Sequence, residues 1–227
     1  MKHARLTLAL ALAVAALPSF AQHRHEEVDK VNGSITAQPG QVYEDLSTVN
    51  GSIKVESNAQ ADDVETVNGS IAGGDGIRVR SLSTVNGGIR VGEQAQIADT
   101  VETVNGSIFV DRGGNIGDGV STVNGAIGLV DTDVGGGIET VNGDVTVGIG
   151  SHVRGGIRVE KPNNNGWFQG KQKPPRIVIG PNARVDGAMV FEREVVLYVH
   201  TSAKVGRISG ATPIAFSTQT APDNRRD

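Results

Sequence analysis

The chain has no cysteine among its 227 residues. Disulfide frameworks, Cys-ligated zinc, thiol catalysis and lipid attachment to an N-terminal Cys are excluded with it. Aromatic residues are scarce, at 4% with a single Trp, which argues against a bulky globular core. Basic clusters are missing as well. The formal net charge is −4, and loss of Lys2 and Arg5 with an N-terminal leader leaves 19 basic against 25 acidic residues. A mildly acidic chain of this kind is not expected to bind nucleic acid. No apolar run is long enough to span a bilayer comfortably, the best being the twelve residues from Leu6 to Leu17. Apolar residues nowhere sustain a 3.6-residue period, and Gly, Asn and β-branched residues dominate. Helices are therefore not expected.

The short apolar run reads as part of a leader. Lys2 and Arg5 precede or border it, and Pro18-Ser19-Phe20-Ala21 sets small residues at −3 and −1 of a cleavage site. Residues 1–21 are thus expected to be a secretory signal peptide. The mature protein is expected to be exported, either periplasmic or secreted to the cell surface, with no transmembrane segment. Residues 22–27 read as a disordered polar lead-in, where His23 and His25 are solvated charge and not metal ligands.

What the chain has in abundance is Gly, at 31 residues, and one recurring word. Val-Asn-Gly begins at Val31, Val49, Val67, Val85, Val104, Val123 and Val141, with spacings of 18, 18, 18, 19, 19 and 18 residues. A fixed period of this length is the signature of a solenoid. Thr precedes the Val in every copy but the first, where Lys30 stands. Aliphatic residues recur three before the Val (Val28, Leu46, Val64, Leu82, Val101, Val120, Ile138), four after it, and again six after it, with Ala37 and Gly73 as weak copies. A six-residue period underlies the whole, clearest at Val141, Val147, Val153 and Val159. Three sides of six give 18 residues per coil. The expected fold is all-β, a single parallel β-helix of triangular section. The handedness preference of parallel crossovers favours a right-handed wind.

Within each coil, period-two alternation over Val49 to Val55 predicts that Val49, Ile53 and Val55 face inward. Two polar residues then separate the Val from the preceding aliphatic, as in Val64-Glu65-Thr66-Val67. Burying Glu65 would be costly, so a corner or bulge is expected just before the Val. Thr48, Thr66, Thr84, Thr103, Thr122 and Thr140 then lie on the outer side. Gly51 is expected on the inward side of a bend, because Asn-Gly is the dipeptide most at ease with positive φ. Stacking places Asn32, Asn50, Asn68, Asn86, Asn105, Asn124 and Asn142 in one structural ladder, each amide donating to the next. Outer Thr and Asn columns two residues apart superficially resemble the ranks of ice-binding solenoids.

The tagged coils span residues 28–160. Residues 161–176, rich in Pro, Asn, Gly and Lys, read as a protruding loop. Trp167 and Phe168 on it are the candidate binding residues, able to anchor a partner, stack on a sugar or cap the stack. The six-residue period resumes in closing coils over residues 177–216, and residues 217–227 read as a disordered polar tail. Seven tagged coils and two closing ones, at about 4.8 Å each, make a rod about 40–45 Å long.

No catalytic constellation stands out. Gly-x-Ser-x-Gly, His-Glu-x-x-His and a phosphate loop do not occur, and His152 and His200 are isolated. Asp62, Asp63, Asp75, Asp99, Asp111, Asp118, Asp131 and Asp133 fall in different registers. No cofactor and no metal are expected. The leading expectation is a non-enzymatic, exported structural or interaction protein of the bacterial cell envelope, acting by surface display or by self-assembly. Its partners would be further copies of itself, or an envelope or surface glycan or protein. The alternative is a carbohydrate-binding or polysaccharide-processing β-helix, with stacked carboxylates or the Trp167 loop as its site.

The repeated Val-Asn-Gly-Ser-Ile, with aliphatic residues before and after it, resembles the exported adhesin-type solenoid family of bacteria over about residues 28–160. The closing segment Ile179-Gly180-Pro181-Asn182-Ala183-Arg184-Val185-Asp186-Gly187 is similar to the coils of bactofilins. Those are polymer-forming cytoskeletal proteins with a right-handed β-helix, working on the cytosolic side. The signal segment of this chain departs from them. The resemblance implies a β-helix and carries over no functional residue.

Overall fold

The computed structural model describes residues 26–162 and 173–222. The expected signal peptide at 1–21, the lead-in up to residue 25, Trp167 and Phe168, and residues 223–227 lie outside the described residues. Among the described residues there are 26 strands and no helix. They form a parallel β-solenoid of about ten turns, spaced about 18 residues apart.

Each turn contributes to three stacked sides. The second side is the simplest, a ten-stranded sheet running from Ile35–Ala37 to Ile214–Phe216. The first side begins with Glu26–Asn32 and ends with Ile208–Ser209. The third side holds two-residue strands such as Gln96–Ile97, Asn115–Ile116 and His152–Val153. In the early coils the third and first sides are one continuous strand, as in Gln60–Asn68 and Arg78–Asn86. In the later coils they part. Two residues separate the buried Val79 and Leu82, whereas three separate Ile97 and Val101, which is where the 19-residue coils take their extra residue.

The core is a column of aliphatic residues stacked in register. Ile53, Ile71, Ile89 and Ile108 pair directly along the second side, and Leu46, Val64, Leu82 and Val101 along the first, all buried. Burial of each stabilises by about 1.5–3 kcal/mol. No coil encloses a core alone, so the stack is the cooperative unit.

The assignment of the repeat's faces corrects the expectation from sequence. Thr48 is 2% exposed and Val49 41%. The same inversion recurs at Thr66/Val67, Thr84/Val85, Thr103/Val104 and Thr122/Val123. Alternation from Leu46 through Thr48 to Val49 is unbroken within one strand, and no corner precedes the Val. Glu65 stays exposed because it points outward between the inward Val64 and Thr66. The two-polar-residue break lies earlier, at Asp62 and Asp63, between the buried Ala61 and Val64. With the Thr column inside, the expected outer Thr and Asn array does not exist.

Beyond the 161–176 interruption the stack resumes in register, with Val145 beside Ile177 and Ile177 beside Leu197. Residues 217–222, assigned by sequence to a tail, pass over the outside of the second side. There Ala221 packs on a small outer cluster of Val178, Tyr198 and Phe216. The strand Glu26–Asn32 likewise extends the solenoid into the expected lead-in.

Candidate functional site

The repeated word is a corner, and each of its residues serves the coil next to it. The Thr66 hydroxyl donates to the Gly51 carbonyl of the preceding coil at 2.8 Å, and Thr48, Thr84, Thr103 and Thr122 do the same to Gly33, Gly69, Gly87 and Gly106 at 2.9–3.1 Å. That carbonyl points at the Cα of the glycine stacked above it. A Cβ on Gly69 would overlap the Gly51 oxygen, so glycine is required by close backbone stacking. Positive φ is not the reason at Gly51, Gly69, Gly87 and Gly106; in this corner column only Gly33 (112°) and Gly125 (153°) have it. Among the described residues no coil precedes the first copy. Its Lys30 is exposed, and the ammonium donates to the Ser34 carbonyl at 2.8 Å.

The asparagines form a continuous amide ladder. Asn50 donates to Asn32, and Asn68, Asn86, Asn105, Asn124 and Asn142 each donate to the one before, at 2.9–3.1 Å. All donors point toward the N-terminal end. The ladder terminates at Arg193, whose Nη1 donates to Asn142 Oδ1 at 2.6 Å and to the Val141 carbonyl at 3.0 Å. Arg193 was not picked out by sequence reasoning, because it follows the 161–176 interruption and no repeat signal marks it. The serines add a second, weaker ladder in which Ser34 and Ser52 oxygens accept the backbone N–H of Ser52 and Ser70 at 3.2 Å.

Beside this edge runs an exposed column of Val49, Val67, Val85, Val104 and Val123. Next to it, on the outer face of the first side, Asp29, Ser47, Glu65, Ser83, Glu102, Ser121 and Glu139 stack in register. Carboxylates thus occupy every second coil, about 9.6 Å apart at about 4.8 Å per strand. Directly stacked glutamates would repel, and the serines keep them apart.

The third side carries the histidine that the sequence left isolated. Asp133, His152 and Arg184 stack in register. His152 Nε2 lies 2.8 Å from Asp186 Oδ2 and its Nδ1 3.8 Å from Asp133. Arg184 also bonds Asp186. The hydrogen bond from His152, and then Arg184, hold the Asp186 carboxyl below the usual carboxylate range. His200 instead bonds Ser202 at 2.8 Å and meets Phe216 edge-on. Among the acids singled out by sequence, Asp63 pairs with Arg80 and accepts from Ser81 at 2.7 Å. Among the described residues no three His, Asp or Glu side chains converge to hold a metal ion, and no helix is long and apolar enough to cross a membrane. The candidate binding pair Trp167 and Phe168 lies outside the described residues.

The two ends of the rod differ. Strands Glu26–Asn32 and Ile35–Ala37 have a neighbour on one side only among the described residues, as do Lys204–Val205, Ile208–Ser209 and Ile214–Phe216 at the other end. The first coil exposes Glu26, Glu27, Asp29, Glu44 and Asp45 against Lys30. From Val195 to Pro222 there is no Asp or Glu, and Lys204 and Arg207 are exposed. No family model, no curated protein and no solved structure matches this chain.

Proposed function

We propose that this chain is a non-enzymatic structural protein, exported to the bacterial envelope, that stacks end to end through its open coils. One observation carries the reading: among the described residues the terminal coils pair on one side only, and their charges are opposite, acidic at Glu26, Glu27 and Asp29, basic at Lys204 and Arg207. An unpaired parallel edge is a template for another strand, and complementary charge sets which end meets which. The stacking is head to tail, since like ends repel. Export rests on the leader-like residues 1–21. The resemblance of the coils to adhesin-type and bactofilin solenoids agrees with a scaffold role. A second reading, display of the repeated face to an envelope glycan or protein, is favoured by the valine column beside regularly spaced carboxylates.

The test is light scattering and negative-stain imaging of purified protein over a concentration series. Head-to-tail stacking gives rods that lengthen in multiples with concentration and shorten with added salt. Lys204→Glu combined with Arg207→Glu then holds the protein at one rod length. A single rod length at every concentration and salt rules out self-assembly and leaves surface display as the working function.

A further inference from the structure

Seven of the chain's eight Asn-Gly pairs form the corner column, and the eighth, Asn165-Gly166, lies outside the described residues. Asn-Gly carries a chemistry of its own. The glycine nitrogen can attack the asparagine Cγ and close a five-membered imide, and without a Cβ glycine offers the least steric resistance to this. The reaction needs that nitrogen free to lose its proton and turn toward the side chain. A backbone N–H committed to an acceptor must first give up that bond.

Six of the seven corners commit it. Gly33, Gly51, Gly69, Gly87 and Gly106 donate to the Asn carbonyl of the following coil at 2.8–3.1 Å. Gly143 is buried and donates to Thr140 Oγ1 at 3.0 Å. Among the seven, Gly125 alone has no acceptor for its N–H. The cause lies in the following coil. There the strand stops at Thr140, whereas in the two coils before it the strand runs on to Asn105 and Asn124. The Thr140 hydroxyl accepts from Gly143, and Arg193 holds the Val141 carbonyl and the Asn142 side chain. The Asn124–Gly125 peptide is therefore held only at its carbonyl, which accepts from Gly106 at 2.9 Å. Asn124 is exposed and Gly125 half-buried, so water reaches the pair. Asn142 donates to Asn124 Oδ1 at 2.9 Å, which draws electrons from the Cγ to be attacked.

We propose that Asn124 is a site of spontaneous modification in the folded protein, the one corner of the seven that leaves Asn-Gly open to self-attack. The Gly125 nitrogen gives its proton to water and bonds to Asn124 Cγ. The Cγ–Nδ2 bond breaks and ammonia leaves. Water then opens the imide at either carbonyl, giving aspartate or isoaspartate with no change of oxidation state. The new carboxylate cannot donate to Asn105 Oδ1, so the link now made at 2.9 Å is lost. The isoaspartate form also lengthens the main chain, at a corner where a Cβ on Gly125 would already overlap the Gly106 carbonyl oxygen. Elapsed time is thus written into the ladder as a broken link. The site rests on the corner geometry and is independent of end-to-end stacking, so either reading can fail without the other.

The test is peptide mapping by mass spectrometry after incubation of the purified protein at mildly alkaline pH, folded and in guanidinium chloride. In the folded protein Asn124 converts about tenfold or more faster than any other of the seven corners, equivalent to about 1.4 kcal/mol of barrier and within the cost of freeing a committed backbone donor. In denaturant the seven rates draw together, because every corner has the same Val-Asn-Gly. Asn124→Asp supplies the aspartate product directly and melts below the parent. Equal rates at the seven corners of the folded protein, a faster rate at another corner, or no conversion at Asn124 overturns the proposal. A preference for Asn124 that persists in denaturant overturns its structural cause, and an Asn124→Asp protein that melts with the parent overturns the broken link.

Discussion

Asn142 and Arg193 are 51 residues apart in sequence, and the guanidinium of one closes the amide ladder of the other at 2.6 Å. Six links of one orientation align seven side-chain dipoles with their oxygens toward the C-terminal end of the stack, and a cation stands where that partial negative charge gathers. Arg193→Met keeps the aliphatic stem and removes the donors. It is expected to cost about 1–2 kcal/mol, because the bond is charge-assisted and partly buried. Arg193→Lys recovers part of that. Urea denaturation of the two variants measures the difference. If Arg193→Met matches the parent, the ladder needs no terminal cation.

Gly106 tests the stacking argument at a single atom. A methyl group there would overlap the Gly87 carbonyl oxygen, which is backbone and cannot swing aside. Gly106→Ala is expected to open the central coils and to lower stability by about 3 kcal/mol or more. Gly40 is the control. Its added Cβ meets nothing, but its φ of 67° is left-handed, so Gly40→Ala costs only about 1 kcal/mol. Equal melting temperatures for the two variants would remove close stacking as the reason for glycine in the repeat.

The period, the parallel stack, the three sides and the resumption after residue 176 were all legible in the sequence, because identical residues must superpose in a solenoid. The faces of Thr and Val were not. The two side chains have nearly the same shape, so a hydroxyl that satisfies a buried carbonyl inverts the usual preference without changing the volume. The inference also placed the irregular point at Glu65-Thr66 when Asp62-Asp63 carries it. Either pair breaks a simple alternation on paper, and only the interior hydrogen bond of Thr66 decides between them. Arg193 was illegible for another reason. It depends on how the chain returns after an interruption of unmarked length, which no repeat records.

The His152–Asp186 contact predicts a pH dependence of definite sign. Asp186 is depressed by its hydrogen bond to His152 and by Arg184. A carboxyl depressed in the folded state contributes stability that is fully present above its unfolded pKa and lost as pH falls through the folded one. The stability difference between the parent and Asp186→Asn should therefore be constant above the ordinary carboxylate range and shrink below it. Thermal melts across pH 2–6, a window bracketing the ordinary Asp pKa near 4, read this directly. A gap that widens toward acid would reverse the assigned direction.

Thr103 offers the sharpest test of what the repeat is for. Its hydroxyl is buried and donates to the Gly87 carbonyl at 2.9 Å. The β-branched stem fills the same space a valine would. Thr103→Val preserves shape and leaves the carbonyl without this donor, at a cost of about 1–3 kcal/mol. Thr103→Ser preserves the donor and loses a methyl group, at about 1 kcal/mol plus whatever cavity remains. If the corner is held by the hydrogen bond, the serine variant is the more stable of the two, against the usual rule that apolar side chains suit a core better. Denaturation of the pair decides it. A valine variant that outlasts serine would make the Thr column a packing element, with the glycine carbonyls content to go unpaired.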